Sequence, residues 1–143
     1  LSTDRIKDYV FDWDRMLAFD GNTAPYLQYA HARICSIFRR AEVDRSSVRS
    51  AVVSLGQPQE RELAKRLLAY PSALDDTLDS YSPHKLCTYL FDLAQDFTSF
   101  YEHCPVAKAD EPVRTSRLAL CDLTARTLEH GLGLLGITAP EAM

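Results

Sequence analysis

The sequence predicts an all-α fold, an antiparallel helical bundle, on three observations. Apolar residues recur at helical spacing in several segments, each bounded by capping, glycine or proline signals. No segment shows the period-2 alternation between turn residues that marks a half-buried strand. No pattern returns at a fixed period, as it would in a solenoid. With 143 residues, 46% hydrophobic and 25% charged, the chain has the size and apolar content of one packed domain spanning 1–143.

The elements follow in order. Over residues 3–19, Ile6, Tyr9, Val10, Trp13 and Leu17 fall at helical spacing, and Asp20-Gly21-Asn22 supplies a stop, so a first amphipathic helix is expected. Asn22 or Thr23 can cap the next helix, Pro25 suits its first turn, and Leu27, Ala30, Ile34, Ile37, Phe38 and Ala41 form its apolar stripe. Residues 42–57 carry Ser46, Ser47, Ser50, Ser54 and Gly56 among scattered valines and read as a loop with a short helical turn. Residues 58–70 read as a helix through Leu63, Leu67 and Leu68, and 71–81 as another, each opened by a proline and packed antiparallel across a short connection. Ser82-Pro83 repeats the cap-plus-proline signal. Leu86, Tyr89, Leu90, Leu93, Phe97, Phe100 and Cys104 then mark a long core helix, which Pro105 ends. Leu118, Cys121, Ala125, Leu128, Leu132 and Leu135 mark the last helix, weakened towards its end by Gly131, Gly133 and Gly136, and Pro140 keeps the tail 137–143 from extending it.

Composition narrows function. No apolar run approaches the roughly 20 residues that cross a bilayer, so no membrane partner is expected. The formal charge of -4 repels phosphate, so a nucleic-acid site has to be a local basic patch. The polar opening after Leu1 is no signal peptide, and a piece of something longer is expected. Cys35, Cys87, Cys104 and Cys121 include no Cys-x-x-Cys pair and sit in apolar contexts, which reads as buried free thiols in a reducing, cytoplasmic compartment.

Catalytic patterns are absent. His31 with Cys35 and His84 with Cys87 have spacings that could face an ion, but without further ligands the cysteines read as small core residues and the histidines as surface groups. There is no Gly-x-Ser-x-Gly elbow and no phosphate-cradling glycine loop. Gly131, Gly133 and Gly136 have the wrong spacing and read as close helix packing or an early helix end. Asp75, Asp76 and Asp79 read as a solvated face. What remains is the second helix, where Tyr26, Tyr29, Arg33 and Arg40 share a narrow sector about a quarter turn from the core stripe. From Arg33 to Arg49 five arginines face only Glu42 and Asp44, a local excess of +3. Rings beside guanidinium groups suit unstacked bases and neighbouring phosphates. The same residues also suit tyrosines that complete the core edge and arginines in solvent.

Residues 10–40 contain Val10-Phe11-Asp12-Trp13-Asp14, Asp20-Gly21-Asn22-Thr23 and Pro25-Tyr26-Leu27-Gln28-Tyr29-Ala30-His31-Ala32-Arg33. With residues 83–94, 100–106, 117–128 and the ending Pro140-Glu141-Ala142-Met143, this run resembles the C-terminal anticodon-binding (DALR-type) domain of arginyl-tRNA synthetases. The resemblance implies the α-helical bundle of a class I aminoacyl-tRNA synthetase, which joins arginine to its tRNA with ATP. It implies that Tyr26, Tyr29 and Tyr101 present rings to anticodon bases, that Arg33 pairs with a phosphate, and that Met143 lies beside the bases. Arg40, on the same helix edge, joins the RNA-binding candidates. The family's His-x-Gly-His signature, lysine-rich lid loop and N-terminal domain are absent, so the chain is expected to be the recognition piece alone. No cofactor is then expected in it, ATP and Mg belonging to the full enzyme. Ala142 stands where the family often has arginine. The expected partners are arginine tRNA and the catalytic domain of the same enzyme, with no DNA. The alternative is a helical protein-interaction domain that uses the same edge.

Overall fold

The computed structural model describes residues 1, 3, 4 and 6–143; Ser2, Arg5 and the side chain of Arg15, which the expected first helix includes in part, lie outside the description. Its helices are α1 (Trp13–Met16), α2 (Ala24–Ala41), α3 (Pro58–Leu68), α4 (Tyr70–Asp79), α5 (Pro83–His103) and α6 (Val113–Leu134), with a 3-10 turn at Arg45–Val48. The described residues include no strand.

The long helices form where capping and apolar spacing agree. Thr23 caps α2: its hydroxyl accepts from the Tyr26 amide at 3.2 Å and donates to the Ala18 carbonyl at 2.6 Å. Glu42 ends α2 with a left-handed φ of 53°, while its amide and that of Val43 donate to Arg39 and Phe38. Leu27, Ile34, Leu63, Leu90, Leu93, Phe97, Phe100, Leu118, Leu128 and Leu132 are fully buried in one shared core. Burial of each such side chain stabilises by about 1.5–3 kcal/mol. Gly131 lets α6 approach α5, since a Cβ there would stand 2.6 Å from a Leu90 methyl carbon. Gly136, at φ 73°, closes α6: its amide reaches Gly133 and that of Ile137 reaches Leu132. The two readings of this glycine cluster, close packing and helix end, thus apply at different positions.

Four expectations need correction. The helix expected over 3–19 shrinks to the single turn α1, and Ile6, Val10, Trp13, Leu17 and Phe19 stay more than half exposed. An apolar stripe holds a helix only where a partner face covers it, and the core supplies none there. Second, α3 and α4 are not an antiparallel pair. Only Ala69 separates them, and Pro71 has no N–H to carry the first helix on. Along α5, Arg66 pairs with Asp96, Tyr70 lies on Tyr89 and Lys85 reaches the Asp76 carbonyl, so α3 and α4 run head to tail, both antiparallel to α5. Third, Leu68 is 81% exposed, because one residue past Leu67 the helix has turned about 100° away from the core. Fourth, Ser82 does not cap α5 with its side chain; its hydroxyl donates to the Ser80 carbonyl at 3.0 Å.

All four cysteines are buried free thiols. Burial pushes each thiol above its ordinary value, and in Cys121 the neighbouring Asp122 adds to the effect. In the unfolded chain they ionise near pH 8.5, while burial in the folded chain holds them protonated to higher pH. Above that pH the unfolded state binds fewer protons, and stability falls as pH rises. The urea midpoint of the reduced protein is expected to be lower at pH 9.5 than at pH 7.5; an unchanged midpoint would count against this assignment.

Candidate nucleic-acid interface

Tyr26, Tyr29 and Arg33 lie one turn apart on α2, and the packing of α2 beside α5 adds a fourth group. The Tyr26 ring meets Phe91 of α5 at 5.4 Å between centroids, and the Arg33 guanidinium stands 5.0 Å over the ring of Tyr101, also on α5. Tyr101 in turn lies nearly parallel to the buried Phe97, with centroids 6.0 Å apart. A guanidinium over a ring face is attracted by the ring quadrupole, so Tyr101 holds Arg33 at the edge rather than leaving it to wander. Tyr29 is the open member. It is 48% exposed, and its aromatic neighbour is the exposed Phe19, edge-on at 6.5 Å. The structure therefore brings Tyr26, Tyr29, Arg33 and Tyr101 to one edge, with Tyr26 and Tyr101 half-buried and Tyr29 free to receive a flat ligand.

Part of the positive excess read from the sequence is turned towards one buried carboxylate. Arg45 and Arg49 turn to Asp122 of α6, with Nε to carboxylate oxygen distances of 3.0 and 3.6 Å, and Arg126 reaches the same buried carboxylate at 3.0 Å. Arg39 donates to the Glu141 carbonyl at 2.8 Å. Of the five arginines from 33 to 49, Arg45 and Arg49 have a carboxylate partner among the described residues, while Arg39 is tied to a carbonyl, Arg33 lies over Tyr101 and Arg40 is exposed two turns beyond Arg33. Spacing could not show this, because Asp122 is 77 residues from Arg45 in the chain. A second buried pair also escaped the sequence reading: Glu60, 2% exposed, accepts from Arg117 Nε at 2.6 Å and from the Gln57 amide at 2.8 Å, which clasps α3 to α6.

Met143 is exposed. The tail that carries it lies along the other flank of α2, roughly 140° around the helix from the tyrosines. His31 belongs to that flank and corrects a further expectation. It is not a surface group but 1% exposed, with Nδ1 2.9 Å from the Pro140 carbonyl and its ring against the Cys35 thiol. No group of three metal-ligating side chains occurs among the described residues.

An α-helical bundle with rings and an anchored guanidinium at one helix edge has the chemistry of a ligand-reading module. The family model for the DALR anticodon binding domain matches residues 27–143, and the chain belongs to that family. It is 57% identical over 143 residues to the arginine–tRNA ligase of Frankia casuarinae and 51% identical over 144 residues to that of Citrobacter koseri; both matches take in the whole chain. Among solved structures it is similar to the arginyl-tRNA synthetase of Plasmodium falciparum, with TM-score 0.88 and 34% identity over 99% of this chain and 25% of that one. It is also similar to the arginyl-tRNA synthetase of Thermus thermophilus, with TM-score 0.79 and 40% identity over 89% of this chain and 22% of that one. The chain spans about a quarter of the length of these relatives.

Proposed function

We propose that this chain is the anticodon-loop-reading domain of an arginine–tRNA ligase, which joins arginine to its tRNA with ATP. Family membership and the names of the relatives support this reading, and the observation that carries it is the α2–α5 edge. There an open tyrosine stands one turn from a guanidinium already held over a ring. Tyr29 stacks a flipped base, Tyr26 and Tyr101 wall the site, Arg33 pairs with a backbone phosphate and Arg40 with a second one further along. Met143 adds a soft apolar contact from the tail.

The domain so proposed comprises residues 1–143. Arginine activation, ATP and Mg belong to other parts of the polypeptide, in the cytoplasm. The exposed Ile6, Val10, Trp13 and Leu17 favour a second contact, with the catalytic domain of the same enzyme, since single exposed apolar residues are ordinary but a run of them marks a covered surface.

Titration of the chain with an arginine-tRNA anticodon stem-loop over a range of salt separates this from a protein-docking role. Two phosphate contacts give a slope of log K against log salt near -1.4, about -0.7 for each phosphate on a single strand. A slope near zero, or equal binding of an unrelated hairpin, would favour the protein-interaction alternative.

A further inference from the structure

The tail after α6 is not left to solvent. Gln28 Nε2 donates to the Thr138 carbonyl at 2.7 Å, His31 Nδ1 lies 2.9 Å from the Pro140 carbonyl, and Arg39 donates to the Glu141 carbonyl at 2.8 Å. These residues, with Cys35 packed on His31, recur on α2 at i, i+3, i+7 and i+11 and form a second stripe beside the core stripe. The order of contacts, 28 to 138, 31 to 140 and 39 to 141, draws the tail along α2 towards its C-terminal end. Each contact is made to a backbone carbonyl, so it sets the path of the tail without depending on the side chains at 138–141. The central member is the best placed to be rigid: a ring 1% exposed, seated on a thiol, cannot swing away to water.

We infer that Gln28, His31 and Arg39 are positioning residues that latch the C-terminal tail to α2 before any RNA arrives. Resting on the function proposed above, the latch fixes where Met143 meets the anticodon loop. A tail already docked does not have to be ordered at the moment of binding, and a binding-competent state that is only partly populated weakens apparent affinity by that fraction.

The test measures 15N relaxation of residues 138–143 in the free chain and affinity for the anticodon stem-loop, in the intact chain, in Gln28→Glu with Arg39→Ala, in His31→Ala, and in a chain shortened to residue 137. The Gln28→Glu/Arg39→Ala pair leaves the core intact and guards against loss of folding in His31→Ala. Tail amides as ordered as the helices in the intact chain, and mobile in the variants, are expected. Apparent Kd should rise about tenfold if the docked fraction falls to about one in ten. Shortening the chain should cost at least that factor, with no further loss when the latch substitutions are added to it. Arg39→Lys, which keeps a donor, should retain the tail. A tail already mobile in the intact chain, or equally ordered in the variants, overturns the latch. Affinity lost on shortening but kept when the latch variants free the tail, or unchanged by shortening, overturns its link to RNA. Failure of the intact chain to bind the loop defeats the proposed function, while the relaxation data still decide the latch.

Discussion

Replacing Glu60 by alanine is expected to lower the unfolding free energy by about 3–5 kcal/mol, the cost of leaving one member of a buried ion pair alone. The Arg117 side chain, 11% exposed, would keep its charge with the Pro105 carbonyl as its remaining partner among the described residues, and α3 would also lose the acceptor at its first turn. Replacing both members, Glu60→Leu with Arg117→Met, should recover most of the loss, because two apolar groups of similar volume leave no charge unpaired. Urea unfolding of the three variants reads the difference. A single substitution costing under about 1 kcal/mol would mean that the pair is solvated in solution. Neither residue touches the α2–α5 edge, so RNA affinity per folded molecule should not change.

Tyr29→Ala is expected to raise the Kd for the anticodon stem-loop about 5- to 150-fold, the equivalent of one stacked base at roughly 1–3 kcal/mol, with no loss of stability. The ring is half exposed and contributes little to the core, so truncation removes a platform rather than a strut. Tyr29→Phe, which keeps the π face, should stay within about threefold of the parent. Arg33→Ala should act differently: it removes one phosphate contact and makes the salt slope shallower by about 0.7. If Tyr29→Ala binds like the parent, base stacking is not what this edge does.

Much of this architecture is legible in the sequence wherever a local rule and a packing surface coincide. The α2 stripe of Leu27, Ile34, Ile37 and Phe38 is both periodic and covered, and Thr23 caps it as its spacing suggests. Several of the failures share a cause, that periodicity shows which residues share a face but not whether anything lies against it. Ile6, Val10 and Trp13 have the spacing and no covering surface; His31 looks polar and is buried because a distant tail folds over it. The site divides the same way. Tyr26, Tyr29 and Arg33 follow from the turn of one helix. Tyr101 reaches them only through tertiary packing and is reached from the sequence through family resemblance alone. The pairing of Arg45 and Arg49 with Asp122 and the tail carbonyls that hold the latch leave no local trace, since the partners are 77 and about 100 residues away.

The central claim is that this helix edge reads the anticodon, and it is tested most directly by comparing two RNAs on one protein. The arginine-tRNA anticodon stem-loop and the same loop with its central cytosine changed are titrated against the intact chain and against Tyr29→Ala. The account predicts tighter binding of the native loop by the intact chain and loss of that preference in the variant. Equal binding of both loops by the intact chain would contradict it.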